Sequence, residues 1–301
     1  MSSADYTHAP VRAATRLADY LQLTRPRLTA MALLTVAVGA LLASAGAPDW
    51  GIVAHAVIGA ALVAVGASAL NQWMERDTDA RMQRTQDRPL PAGRLRPGEV
   101  LVFGVASAVS GVVYLALALP HLLAAGVAAL TLLIYVFVYT PLKRRTPLNT
   151  LAGAIAGALP PVIGWTAVRG SVSAEIVALF GILFLWQAPH FLAIAWIHRA
   201  DYCRAGLRML PSVDPQGRMI GRQMIGYSLA LIPVSLALLV LRTAGPVYAG
   251  GALFLGLGLL ACAMRFALLP SASRARVVLW ASLIYLPGLL ALLVVDGITR
   301  N

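Results

Sequence analysis

The sequence predicts an all-α membrane protein, nine transmembrane helices arranged around a central cavity. Three observations lead there. Hydrophobic residues make up 59% of the 301 positions and charged residues only 12%, against roughly 45–50% and about 25% in soluble domains. Mean hydropathy is +0.77. Nine apolar stretches are long enough to cross a hydrocarbon layer, which takes about 20 residues of helix. A soluble enzyme is excluded because one core cannot bury this much apolar surface, and disorder is excluded for the same reason. Two cysteines, Cys203 and Cys262, with no CxxC pair, speak against a disulfide framework or a cysteine zinc site.

The stretches fall at 27–47, 52–74, 99–119, 121–140, 149–168, 173–196, 219–241, 244–267 and 277–297. Lipid offers no partner for backbone N–H and C=O groups, so only helices or closed barrel strands can cross it. Barrel strands alternate over about ten residues, whereas these runs are continuous and longer. Residues 1–26 are polar, include Asp5 and Asp19, and read as an N-terminal segment ahead of one nine-helix domain over 27–298. No cleavable signal peptide is recognisable.

The net charge of +12 is not a nucleic-acid signal, because the cations sort by membrane side. Among 24 lysines and arginines, only Arg169, Arg242 and Arg300 fall on one side of the predicted topology. The positive-inside rule therefore puts the N-terminus and the loops after spans 2, 4, 6 and 8 in the cytoplasm.

Four of the twelve acidic residues, Glu75, Asp77, Asp79 and Asp87, gather where span 2 leaves the membrane. Asn71, Glu75 and Asp79 are spaced i, i+4, i+8 and share one helix face, with Asp77 on the opposite side. Carboxylates one turn apart repel each other, and a divalent cation relieves the repulsion. Mg²⁺ favours oxygen ligands and often joins one or two carboxylates to substrate phosphates. Arg81, Arg84 and Arg88 follow, and guanidinium groups match phosphate oxygens. The pattern fits a metal–diphosphate site. Its competitor is a solvated charge cluster that only sets topology, which explains the arginines better than the Asn71–Glu75–Asp79 face, since ionisable groups within a span are costly.

Further polar clusters lie on the same side. Thr24-Arg25-Pro26-Arg27 opens span 1, with Pro26 suited to a first helical turn. Tyr139-Thr-Pro-Leu-Lys143-Arg144-Arg145 closes span 4, where Lys143 can hold a phosphate or merely fix topology. Span 6 carries Trp186-Gln-Ala-Pro189-His190-Phe191, followed by Asp201 at its polar end. His190 is able to ligate a metal or heme iron or to shuttle protons, or simply to bond a carbonyl freed by Pro189. Their shared side implies a cavity open to the cytoplasm, roofed by the loops after spans 2 and 6. Glycines and the Pro160-Pro161 pair in span 5 imply close helix packing and a broken helix.

These segments resemble the UbiA superfamily of intramembrane prenyltransferases. The 71–89 block resembles its first acidic motif. Thr24–Arg27, Tyr139–Arg144, Pro160-Pro161-x-Ile163-Gly164-Trp165, Trp186–Phe191 and 201–211 add to the match, in order. The closest resemblance is to the branch that farnesylates protoheme IX.

The resemblance implies nine helices, Mg²⁺, farnesyl diphosphate as donor and protoheme IX as acceptor, with a farnesyl group and water added to a heme vinyl group. It implies Asn71, Glu75, Asp79 and Asp201 as catalytic positions, the first three also as metal ligands. Arg84, Arg88, Lys143 and Arg144 become diphosphate-binding, and His190 with Trp186 heme-binding. A bacterial inner membrane is the expected location, with contact to a downstream heme-modifying enzyme or a terminal-oxidase assembly. Two departures bear on the acceptor. Gln72 stands where many superfamily members have Asp, and Ala205 stands four residues after Asp201 in place of a second Asp. Both resemble the heme branch and disfavour the alternative, a prenyltransferase acting on an aromatic quinone precursor.

Overall fold

The computed structural model describes residues 16–300. Asp5, Arg12 and most of the expected N-terminal segment lie outside the described residues, as does the side chain of Arg300. All regular structure among the described residues is helical. Among the described residues, nine helices have the length and composition to span a membrane: Pro26–Ala43, Trp50–Asp79, Pro97–Ala118, Leu122–Leu142, Asn149–Arg169, Ala174–Ile197, Arg218–Val240, Pro246–Leu268 and Ala272–Asp296. These are spans 1 to 9. The expected stretches agree with them to within a few residues, with span 2 running on to Asp79 and span 9 starting earlier, at Ala272.

Consecutive spans touch one another, and span 9 touches span 1, which closes the ring. Across it, span 1 packs on the second half of span 5, and span 9 packs on span 6. Small residues let these helices approach. A Cβ on Gly164 would come 1.9 Å from the Val36 carbonyl oxygen of span 1, and one on Gly66 would come 2.5 Å from the Ala108 amide of span 3. Backbone contact of this kind is a recurrent source of helix association in lipid, where hydrophobicity does not drive it.

Two irregularities shape the polar end. Span 5 breaks at its prolines into Asn149–Ala158 and Pro160–Arg169, as Pro160 predicts. Span 4 contains a π-helix, Ile134–Tyr139, before its last turn Thr140–Leu142. Such turns are uncommon and often mark functional positions. Nothing in the residue pattern marks this one. Ahead of span 1, the short helix Arg16–Leu23 is tied down by ion pairs from Arg16 to Glu99 (2.9 Å) and from Asp19 to Arg94 (2.7 Å).

Candidate active site

The polar end of span 2 carries the predicted face. Asn71, Glu75 and Asp79 are all buried, at 0%, 7% and 1% exposure. The Asp77 side chain points away and pairs with its neighbour Arg76, at 3.6 Å. Helical spacing alone accounts for this division.

Each buried group meets span 4 or the loop after span 2. The Asn71 amide Nδ2 donates to Thr140 Oγ1 at 3.0 Å, and that hydroxyl donates to the Tyr135 carbonyl. Lys143 Nζ lies 2.7 Å from Glu75 Oε1 and 4.4 Å from the centre of the Tyr139 ring. Burial opposes its charge, but Glu75 and the tyrosines hold its pKa above the usual lysine value. Arg88 donates to Asp79 Oδ2 at 2.6 Å. The Asn71 Oδ1 and Asp79 Oδ1 oxygens remain buried without a hydrogen-bond partner.

Arg25 completes the set, and sequence reasoning did not assign it a role. It adopts the left-handed conformation, φ 46° and ψ 62°, at the start of span 1, a cost of about 1–2 kcal/mol for a residue bearing a Cβ. Its Nη1 reaches the Tyr135 hydroxyl at 3.4 Å, while its Nε is buried without a partner. Burial opposes its charge, yet Tyr135, Glu75 and Asp79 raise its pKa above the ordinary value. The bend is held from span 2. Ser68 Oγ and Gln72 Nε2 both donate to the Leu23 carbonyl at 2.8 Å. Gln72, the departure noted in the motif, thus braces the backbone leading into Arg25 instead of pointing at the carboxylates. The available signal was an arginine directly before a proline, a position biased away from the helical region.

The other predicted residues sit around this centre with different partners. Arg84 donates to the Tyr202 hydroxyl at 3.3 Å and lies over its ring. Arg144 is exposed and reaches the Met74 carbonyl, at 3.5 Å. Asp201 pairs with Arg204, one turn further along its own short helix. The loops do converge as the shared side implied. Met82 packs with Ala205 and Leu207, flanked by Tyr202 and Met209, and the Arg208 amide donates to the Lys143 carbonyl at 2.9 Å. His190 and Trp186 occupy another place, against span 9. Trp186 Nε1 donates to the Ser282 carbonyl at 2.6 Å, and His190 Nδ1 lies 2.9 Å from Ser282 Oγ. His190 therefore bonds a side-chain hydroxyl rather than a carbonyl freed by Pro189.

Among the described residues, no group of three or more His, Cys, Asp or Glu side chains forms a ready metal centre. What converges is two carboxylates, an amide oxygen and three cations. That set suits a hard cation completed by phosphate oxygens and water, and the orphaned Asn71 and Asp79 oxygens are free to serve it.

The family model for UbiA prenyltransferases matches residues 32–286. The chain belongs to the UbiA prenyltransferase family. Two bacterial relatives are named protoheme IX farnesyltransferase. One, from Solibacter usitatus, is 47% identical over 287 residues, covering 92% of this chain and 98% of the relative. The other, from Koribacter versatilis, is 42% identical over 294 residues, covering 94% of each. Solved structures show the same UbiA fold at lower identity. A digeranylgeranylglyceryl phosphate synthase matches with a TM-score of 0.79 at 17% identity, covering 94% of this chain and 99% of that one. A UbiA homolog from Archaeoglobus fulgidus bound to GPP and Mg²⁺ matches at 0.62 and 18%, covering 92% and 99%.

Proposed function

We propose that this UbiA-family chain is a heme O synthase, moving a farnesyl group from farnesyl diphosphate to a vinyl group of protoheme IX with addition of water. One structural observation carries the donor half: two buried carboxylates at a helix end, each matched by its own cation, with neighbouring amide and carboxylate oxygens left unsatisfied. The names of relatives at 42–47% identity support the acceptor half. The polar end faces the cytoplasm of a bacterial inner membrane, in line with the distribution of positive charge.

Asn71, Glu75 and Asp79 are the residues that would hold Mg²⁺. When bound, it supplies positive charge to a departing diphosphate. Arg25, Arg88 and Lys143 bind diphosphate oxygens, exchanging a carboxylate partner for a phosphate one. Arg84 and Arg144, further out, guide the anion inward, and Asp201 helps set the loop that covers it through its bond to Arg204. The allylic C–O bond breaks with its electron pair on the diphosphate. The vinyl π-electrons then bond to C1 of the farnesyl chain. Water adds to the resulting cation beside the porphyrin and loses a proton. The fixed cations stabilise charge that develops on the leaving group, and the helix bundle keeps bulk water from the allylic cation. No side-chain nucleophile is required.

The test is turnover by purified protein in lipid, given protoheme IX, farnesyl diphosphate and Mg²⁺, with product masses read with and without EDTA. A pigment heavier by one farnesyl group and one hydroxyl group, lost with EDTA, is the expected result. Consumption of farnesyl diphosphate only when a hydroxybenzoate or naphthoate is supplied would overturn the acceptor and retain the donor site.

A further inference from the structure

We propose that Ser282 of span 9 locks His190 of span 6 as the Nδ1–H tautomer, so that Nε2 is the atom presented to the iron of the porphyrin substrate. This inference rests on the protoheme reading above and concerns how the acceptor is held.

The argument starts from one hydroxyl proton. Serine has one O–H donor and two acceptor lone pairs. The Ser282 hydroxyl donates to the Leu279 carbonyl at 2.7 Å, within its own helix. Its oxygen then meets His190 Nδ1, at 2.9 Å, as an acceptor, and the ring proton resides on Nδ1. Nε2 keeps its lone pair. It has no hydrogen-bond partner among the described residues, so its capacity is unspent. A ligating histidine characteristically donates its other ring N–H to a fixed acceptor, which sets both tautomer and ring plane.

The ring plane is held twice. Trp186 lies one helical turn before His190, on the same face. Its ring stacks on the imidazole with centroids 5.1 Å apart and planes 26° apart. Its indole N–H donates to the Ser282 backbone carbonyl at 2.6 Å. A single residue of span 9 therefore anchors both aromatic side chains, one through its backbone and the other through its hydroxyl. Phe191 adds an edge contact to the imidazole, with centroids 5.8 Å apart. Aromatic faces around an unspent imidazole nitrogen suit a flat, apolar macrocycle carrying a metal. A bond that only joined two spans needs no such arrangement, because either tautomer would serve it.

The backbone anchor also makes the test clean. Ser282→Ala removes the hydroxyl but keeps the carbonyl that holds Trp186. The experiment titrates ferric protoheme IX into the purified full-length protein in lipid nanodiscs, without farnesyl diphosphate. Absorption and electron paramagnetic resonance spectra read the axial ligand. Wild type is expected to bind heme with a nitrogen axial ligand, and His190→Ala to lose that signature. Ser282→Ala is expected to weaken heme binding by about 10-fold or more with an altered ligand-field spectrum, and Ser282→Thr to restore both. Farnesyl diphosphate binding, measured on the same Ser282→Ala preparation, is expected to match wild type and shows that the variant is folded. A wild-type spectrum and affinity in Ser282→Ala overturns the inference. So does a wild-type heme without a nitrogen ligand in a protein that still forms the heavier pigment, and there the transferase reading survives. A histidine-ligated heme that never becomes the heavier pigment supports the inference and overturns the transferase reading.

Discussion

Two buried polar regions of this protein are built on opposite terms. Where spans 7, 8 and 9 meet, Ser235, Tyr248 and Tyr285 form a cluster that is essentially fully buried, and the hydroxyl of each of these three has a partner, although Ser228 Oγ, elsewhere in span 7, has none. The Ser235 hydroxyl donates to the Leu231 carbonyl and accepts from the Tyr285 hydroxyl at 2.6 Å, and the Tyr248 hydroxyl donates to the Ser235 carbonyl at 3.1 Å. At the polar end of span 2, Asn71 and Asp79 are as deeply buried, yet Asn71 Oδ1, Asp79 Oδ1 and the Nε of neighbouring Arg25 have no partner. Unsatisfied polar atoms and charges within a membrane protein are costly. The three-residue cluster is complete and acts as interhelical glue. The second is incomplete by its own residues, and on the proposed function it is finished by what it binds.

Breaking the second region should therefore cost activity, and breaking the first should cost stability. The largest effect is expected for Asp79→Ala, which removes an unsatisfied oxygen and the partner of Arg88. Turnover should fall by about 1,000-fold while the protein still inserts and purifies; near-wild-type turnover would return Asp79 to a structural role. Arg25→Gly sharpens the contrast. Glycine adopts a left-handed backbone without strain, so the thermal midpoint should hold or rise. KM for farnesyl diphosphate should increase roughly tenfold, the loss of about one charged hydrogen bond. A fall in midpoint with KM unchanged would show that Arg25 braces the fold. Tyr285→Phe gives the smallest effect, about 0.6 kcal/mol on the scale of buried interhelical bonds in membrane proteins. It is read as a modest drop in thermal midpoint with turnover preserved, and a loss of turnover would make spans 7–9 part of the site.

The span 2 face was legible because it lies within one helix: spacing of four fixes which side chains share a side. The nine spans were legible because backbone groups in lipid leave few choices. Residues whose roles depend on distant segments were harder. Ser282 lies 92 positions from His190, and nothing local marks it among the small residues of span 9. Arg25 was visible within its motif, but its left-handed backbone depends on Ser68 and Gln72, which grip the Leu23 carbonyl from another helix. The four basic residues read as one set from the sequence divide in space. Lys143 and Arg88 meet the carboxylates, whereas Arg84 and Arg144 find Tyr202 and a backbone carbonyl.

Span 4 carries a consequence for how this protein can change. Its π-helix, Ile134–Tyr139, winds more residues into a turn than an α-helix does and so sets the phase of everything that follows. Rewinding that stretch as α-helix with every residue kept would rotate Thr140 and Lys143 by about 100° and push them about 1.5 Å along the axis. Asn71 and Glu75 would then face different side chains. Phe137 is largely exposed on the outer surface of the span, so its identity is free to drift. Sequences sharing this site should tolerate substitutions across the segment, and a single-residue deletion that turns it into α-helix should leave Thr140 and Lys143 close to their present places.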